Sequence, residues 1–162
     1  MQACPCGYFG DPLHECTCSQ RDIDRYLNKI SFPLLDRIDI HLEVLPVKYG
    51  DLKDENKSES SHEIRERVKK ARDIQLNRYR GKNIYNNSQL PNKEITRYCK
   101  LSSSSEKIMK LAFNKQKFSA RTYNKILKVS RTIADLDGEE DIADRHILEA
   151  LRYRALDDKY WR

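Results

Sequence analysis

The sequence predicts a mainly α-helical protein, in which a cysteine-rich loop, one helix and one strand precede a C-terminal helical bundle. Three observations predict it: a series of helix-capping residues in the second half, Cys, Gly and Pro concentrated in the first eighteen residues, and one stretch of alternating polarity. Of the 162 residues, 35% are charged and 38% hydrophobic, which is typical of a soluble, helix-rich protein. This length accommodates one ordinary domain or two small ones.

The first forty-four residues are predicted to form a loop, a helix, a turn and a strand, in that order. Ser19 should cap the helix, because apolar residues follow it at helical spacing up to Ile30. The helix should end before Pro33, since the residue preceding a proline is pushed out of the helical region. Residues 34–37 then form a turn. Residues 38–44 alternate between apolar and polar side chains, which predicts a strand buried on one face.

An isolated strand leaves its backbone N–H and C=O groups without partners, and this is the only strand that the sequence predicts. Two interpretations stay open: the strand pairs with a part of the protein outside these residues, or the first forty-odd residues are poorly folded. In both cases we expect the chain to be a piece of something larger.

The second half is predicted to be a helical bundle that follows a polar linker over residues 46–60. Ser60 and Glu63 form a capping-box pattern that opens a long helix to about Arg80, with a narrow apolar stripe along it. A loop then leads to Pro91, a favourable first residue for a short helix.

Three further helices complete the predicted bundle. Ser103 with Glu106 is a second capping-box pattern, Ser119 caps a helix that stops at Gly138, and Asp141 caps the last one.

The N-terminus indicates where the protein resides. Met1–Cys6 has no basic region followed by an apolar stretch, so it does not resemble a signal peptide, and no apolar run is long enough to span a bilayer. We therefore expect a cytoplasmic protein, in which thiols stay reduced and paired cysteines favour a metal over a disulfide.

Two Cys-x-Cys pairs are the most conspicuous motif: Cys4 with Cys6, and Cys16 with Cys18. Four thiolates could close a tetrahedral zinc site and stabilise a loop too small for its own core, and His14 could replace one of them. The alternative is a set of reduced structural thiols. The fifth cysteine, Cys99, is expected to be a small core residue.

The net charge is less informative about the protein's partner than the cysteines are about a metal. A formal net charge of +6 suits a polyanionic partner such as DNA, but basic residues also solvate helix faces. Acidic residues interleave with basic ones, as in residues 63–67, and no dense basic run stands out.

Two arginines are candidates for phosphate contacts. Arg37 follows a turn, where a guanidinium on rigid backbone can reach the charge that develops during phosphoryl transfer. Its alternative is a surface ion pair with Asp36 or Asp39. Arg121 lies in the first turn of a capped helix, where a cation opposes the helix dipole but the helix end favours anions. Its alternative is an ordinary exposed arginine.

Three motifs in order along the chain resemble the Mg-chelatase-like AAA+ proteins of the ComM type. They are Cys-Pro-Cys-Gly-Tyr-Phe-Gly-Asp-Pro at 4–12, Leu-Leu-Asp-Arg-Ile-Asp at 34–39, and Ser-Ala-Arg-Thr-Tyr-Asn-Lys-Ile-Leu-Lys-Val at 119–129 followed by Arg-Thr-Ile-Ala-Asp-Leu at 131–136. The resemblance covers essentially the whole chain except the linker.

The resemblance implies a role for each candidate residue. Arg37 would be the arginine finger that reaches ATP on a neighbouring subunit, and Arg121 the sensor-2 arginine of the helical lid. Family members carry a sensor-1 asparagine just before the first Cys-Pro-Cys, where this chain has Gln2, one methylene longer. Residues 1–45 would be the end of the AAA+ α/β core, and residues 61–162 the inserted helix and the lid.

The resemblance also implies a function for the longer protein. It would be an ATP- and Mg-dependent ring homo-oligomer, expected to be a hexamer, that migrates or remodels DNA branches. The 162 residues contain neither a Gly-x-x-x-x-Gly-Lys-Ser/Thr loop nor an apolar strand ending in Asp-Glu, so we expect negligible ATPase activity from them alone. The alternative is a zinc-supported DNA-binding module without a motor role. Magnesium insertion into a porphyrin is disfavoured, because shared ATPase architecture does not carry substrate identity.

Overall fold

The computed structural model describes residues 2–44, 46–47, 49 and 58–154. The chain divides into one unit that joins residues 1–56 to the C-terminal end from Arg154, and a second unit spanning Lys57–Tyr153. The described residues form seven α-helices and one short 3₁₀ helix, which confirms the mainly α prediction. No described helix combines the length and apolar character needed to cross a membrane. Much of the predicted linker, residues 48 and 50–57, lies outside the described residues.

Two short helices form the regular part of the first unit. Helix α1 spans Gln20–Leu27, and the Ser19 hydroxyl accepts a hydrogen bond from the Asp22 N–H at 3.3 Å, as predicted. Helix α2 spans Phe32–Leu35, where a turn was predicted. Pro33 lies in its first turn, where a missing N–H costs nothing and the fixed φ favours helix.

The strand predicted over residues 38–44 is wrong for the part of the chain that the structure describes. These residues have no regular secondary structure. The four side chains predicted to face the core are exposed: Ile38, Ile40, Leu42 and Val44. The physical reason is that strand formation requires a neighbouring strand, and none of the described segments provides one.

The second unit begins with α3, Ser61–Arg78, whose predicted capping box is confirmed. The Ser60 N–H donates to Glu63 Oε2 at 2.7 Å, and the Glu63 N–H donates to Ser60 Oγ at 3.3 Å. The predicted apolar stripe packs only in its second half: Ala71 is buried, whereas Ile64 and Val68 are exposed. A 3₁₀ helix, Asn87–Gln89, and helix α4, Asn92–Tyr98, follow, with Pro91 just before α4.

Helix α5 spans Ser103–Gln116, and helix α6 spans Ala120–Leu136 after a connection of three residues. The Ser119 cap of α6 is confirmed, with the Thr122 N–H donating to Ser119 Oγ at 3.1 Å. The capping box predicted at Ser103 is wrong by one residue, because Ser102 caps α5 by accepting from the Ser105 N–H. In a run of four serines each hydroxyl is an equivalent candidate, so the sequence alone cannot fix the first helical residue.

Helix α7 spans Asp144–Arg152, so the predicted Asp141 cap is also wrong. Ile142 pairs with Leu101 in an isolated parallel bridge, which holds the backbone extended until Ala143. The buried His146 then caps the helix, since its Nδ1 accepts the Ala143 N–H at 3.0 Å.

Helix α6 is central to the second unit: α3, α4 and α7 pack against it, and α5 packs on α7. Cys99 is buried, as predicted. The apolar core comprises Tyr79, Leu90, Ile95, Cys99, Met109, Phe118, Ile126, Leu127, Ile133, Ala134, Ile142, Ile147 and Ala150.

Candidate metal centre and phosphate-sensing arginines

The structure brings the four cysteines of the two Cys-x-Cys pairs together. Cys4 Sγ lies 3.3 Å from Cys6 Sγ and 3.7 Å from Cys16 Sγ, and the latter two sulfurs are 3.6 Å apart. All four sulfurs, including that of Cys18, lie within 4.8 Å of one another. A tetrahedron with Zn–S bonds of about 2.3 Å has S···S edges of about 3.8 Å, so this donor set fits zinc in number, chemistry and spacing.

The loop between the two pairs is built by glycine and by one aspartate. Gly7 and Gly10 have φ of 89° and 81°, a left-handed conformation that glycine adopts without strain. Asp11 Oδ1 accepts the backbone N–H groups of Leu13 at 2.7 Å and His14 at 3.1 Å, which fixes the end of the turn. The sequence therefore folds this loop through local interactions that return the chain to the cysteines.

Helix α1 covers the cysteine cluster. Ile23 and Leu27, one turn apart, are buried together with Cys4. The Phe9 N–H donates to Cys4 Sγ at 3.3 Å, which ties the loop to the cluster. The proposed alternative ligand His14 is not part of the cluster, since its ring stacks on Tyr8 with centroids 4.7 Å apart.

The thiols influence one another's ionisation. Hydrogen bonding from the Tyr8 backbone, with smaller contributions from neighbouring thiols, lowers the pKa of Cys6 to about 6. For Cys18 the backbone of Cys6 favours the thiolate, but the Cys6 sulfur and burial outweigh it and raise the pKa to about 12. One thiolate therefore forms easily and suppresses ionisation of its neighbour. A metal ion bound here would displace the protons of these thiols.

Two further predicted residues lie in the first unit. Arg37 is exposed in the turn after α2, and its Nη1 donates to the carbonyl of Pro33 at 2.8 Å, which holds the guanidinium against its own turn. Gln2 is exposed and lines a cleft of about 590 Å³ whose walls include Tyr8, Phe9 and Leu35.

The third, Arg121, belongs to the second unit. It is the second residue of the 17-residue helix α6 and is exposed at the end where Ser119 satisfies one backbone N–H. The remaining N–H groups of the first turn give this helix end a partial positive charge.

One stretch of uncompensated basic sequence was missed in the sequence analysis. Residues 107–134 contain eight Lys or Arg residues and no Asp or Glu, in a chain whose 31 basic residues nearly match its 25 acidic ones. A search for dense basic runs overlooks this stretch because the cations are spaced apart. The informative signal is the absence of carboxylates between them.

Comparison with known proteins identifies related sequences. Residues 58–154 match the family described as magnesium chelatase, subunit ChlI C-terminal, and residues 1–52 match magnesium chelatase, subunit ChlI. Competence protein ComM of Haemophilus influenzae is 44% identical over 157 residues, which cover 96% of this chain and 30% of that protein. The uncharacterized protein YifB of Escherichia coli is 36% identical over 158 residues, covering 97% of this chain and 30% of YifB. The chain thus spans about a third of the length of these relatives.

Proposed function

The chain belongs to the magnesium chelatase ChlI family as a ComM-type AAA+ member, and from this premise we propose that it is the ATP-sensing C-terminal part of a DNA-remodelling ring motor. The observation that carries the proposal is the placement of Arg121. A cation in the first turn of a capped helix opposes the helix dipole, an unfavourable arrangement for stability by a few tenths of a kcal/mol to about 1 kcal/mol. The same arrangement attracts an anion twice, through the guanidinium and through the helix end.

In this proposal Arg121 contacts the terminal phosphate of ATP as the sensor-2 residue of the lid. When ATP becomes ADP that contact is lost, and the second unit is released to move. Such movement between neighbouring subunits is how a ring transmits the free energy of hydrolysis to its substrate.

Arg37 is the second phosphate contact in the proposal and acts on the ATP of a neighbouring subunit. The hydrogen bond from Arg37 to the Pro33 carbonyl restrains the guanidinium beside the one-turn helix α2. Because the side chain is already restrained, little conformational entropy is lost when it contacts a phosphate. Gln2, in the position of the sensor-1 asparagine, would orient the attacking water through its amide.

Cys4, Cys6, Cys16 and Cys18 would hold a zinc ion with a structural role. The ion would supply the positive charge that allows four neighbouring thiolates to coexist. The cysteines and α1 then fold as one element, which keeps the Gly7–Gly10 loop in its observed turn.

ATP hydrolysis by the full-length protein tests the proposal. Arg37→Ala and Arg121→Ala should each lower kcat by at least about 100-fold, since arginines that stabilise phosphoryl transfer contribute 10³–10⁵ in related enzymes. Arg25→Ala in the first unit and Arg152→Ala in the second remove equally exposed arginines and should leave kcat within about twofold. If the site variants behave like these controls, neither arginine senses ATP.

A zinc-supported DNA-binding module without a motor role is the second candidate, favoured by the cysteine cluster alone. It predicts that DNA binding is salt-dependent, independent of ATP and unchanged by Arg121→Ala.

A further inference from the structure

Helix α5 and the residue that ends it carry four exposed lysines. Lys107, Lys110 and Lys115 lie on α5, and Lys117 is the residue that ends it, in a left-handed conformation with φ of 48°. We call these four residues the lysine cluster. Over the ten residues from first to last, a helix rises about 15 Å.

The charges of the lysine cluster are not neutralised by the surrounding protein. None of the four side-chain ammonium groups forms an ion pair or hydrogen bond with any residue that the structure describes. The nearest carboxylate along the chain, Glu106, directly precedes Lys107 and lies four residues before Lys110, and it forms an ion pair with neither. Neighbouring like charges repel one another, so a polyanion that lies along them would gain free energy.

A mainly apolar groove of about 480 Å³ has Lys110 of this cluster in its lining. Its other walls are Met109 and Phe113 of α5 and Ala120 and Tyr123 of α6, and the acidic residue Glu106 also lines it. The rings of Phe113 and Tyr123 meet edge to face with centroids 6.1 Å apart. The aromatic walls suit a flat, apolar ring, and Lys110 suits the phosphate attached to that ring.

We propose that the surface formed by α5 and the first turn of α6 binds single-stranded nucleic acid, with phosphates on the lysine cluster and one base in the groove. A duplex keeps its bases stacked inside, so it could use the lysines but not the groove. An acidic protein segment, the competing partner, would likewise use only the lysines. The inference rests on the proposed function in one respect, that the protein acts on DNA, and it assigns the surface that contacts the strand.

The test is fluorescence anisotropy of a labelled oligothymidylate of about 20 nucleotides, titrated with the 162-residue chain between about 50 and 200 mM salt. One variant combines Lys107→Gln, Lys110→Gln, Lys115→Gln and Lys117→Gln. A matched control makes the same change of charge at four other exposed lysines: Lys69, Lys70, Lys93 and Lys100.

Loss of four phosphate contacts should reduce the slope of log K against log salt by about 3 and weaken binding by on the order of 100-fold at 0.1 M salt. The control should change affinity by less than about threefold. Equal losses in both variants, an unchanged slope, or no binding by the unmodified chain would overturn the proposal.

Tyr123→Leu tests the groove separately. It should weaken oligothymidylate binding by about tenfold while leaving duplex binding unchanged, because only an unpaired base can stack there. Tyr85→Leu, at an exposed tyrosine outside the groove, is the matched control. Equal effects of Tyr123→Leu on both nucleic acids, or tighter binding of an acidic peptide than of oligothymidylate, would refute the assignment to a single strand.

Neither set of variants alters Arg37 or Arg121, so failure here is distinguishable from failure of the ATP-sensing proposal.

Discussion

Asp135→Ala should destabilise the second unit severely, because Asp135 is the only carboxylate in the described core that compensates two arginines. Arg78 donates hydrogen bonds to the Asp135 carboxylate through both terminal nitrogens, and its Nη1 lies 2.8 Å from Oδ2. Arg131 Nε donates to Oδ1 of the same carboxylate at 3.1 Å. Asn87 Nδ2 donates to Oδ2 at 2.8 Å. Asp135 and Arg131 are only 1% and 2% exposed, so solvent cannot replace these bonds.

The expected cost follows from the charge that would remain. Burial lowers the pKa of the Arg131 guanidinium, an effect that the Asp135 carboxylate opposes, so the carboxylate is what makes the buried cation tolerable. Removing one partner of a buried ion pair costs about 3–5 kcal/mol. For a unit of this size each kcal/mol shifts Tm by roughly 4–8 °C, so the melting temperature should fall by at least about 12 °C.

The assay is thermal and urea unfolding of the 162-residue chain, both followed by far-UV circular dichroism. Glu59→Ala is the matched control, because it removes the Arg67 ion pair, whose side chains are 40% and 50% exposed. Exposed pairs contribute about 0–1 kcal/mol. If Asp135→Ala costs no more than Glu59→Ala, the reasoning about buried charge is refuted.

Three other predictions concern the metal, a cap and pH. Elemental analysis of protein purified without chelator should find one zinc per chain, and replacing the four clustered cysteines by serine should abolish it; equal zinc in both would exclude the cluster. His146→Ala should cost about 1–2 kcal/mol in thermal unfolding, because it removes a buried cap, whereas the exposed His62→Ala should cost less than about 0.5 kcal/mol. Hydroxyls of Ser105 and Ser104 lower the pKa of Asp144, so its contribution is present above the unfolded pKa of about 3.9 and is lost as pH falls through the folded value. Asp144→Asn should therefore lose less stability than the unmodified chain during acid titration, and parallel curves would contradict this.

Features that depend on neighbouring residues could be predicted from the sequence. The caps at Ser19, Ser60 and Ser119 involve a hydroxyl and an amide within three residues, so the local pattern contains all the information. The cysteine cluster was predictable for a similar reason, because each Cys-x-Cys pair is local and the loop over residues 7–15 joins the two pairs.

Features that depend on distant residues could not be predicted. Asp141 does not cap α7, because the bridge to Leu101 holds Ile142 in an extended conformation. That bridge joins segments far apart in sequence, so no local pattern indicates it. The Arg78–Asp135 pair joins residues 57 positions apart, and no periodicity indicates it. The strand over 38–44 had the correct alternation but depends on a partner that the described residues do not supply.

The central claim is that this chain delivers arginines to ATP, and a mixed-subunit ATPase measurement tests it most directly. Full-length Arg37→Ala subunits are mixed in equal amounts with subunits that cannot bind ATP but retain Arg37. If Arg37 acts on the neighbour's ATP, both pure preparations are inactive and roughly one quarter of the interfaces in the mixture regain hydrolysis. A mixture no more active than its two components would contradict the account.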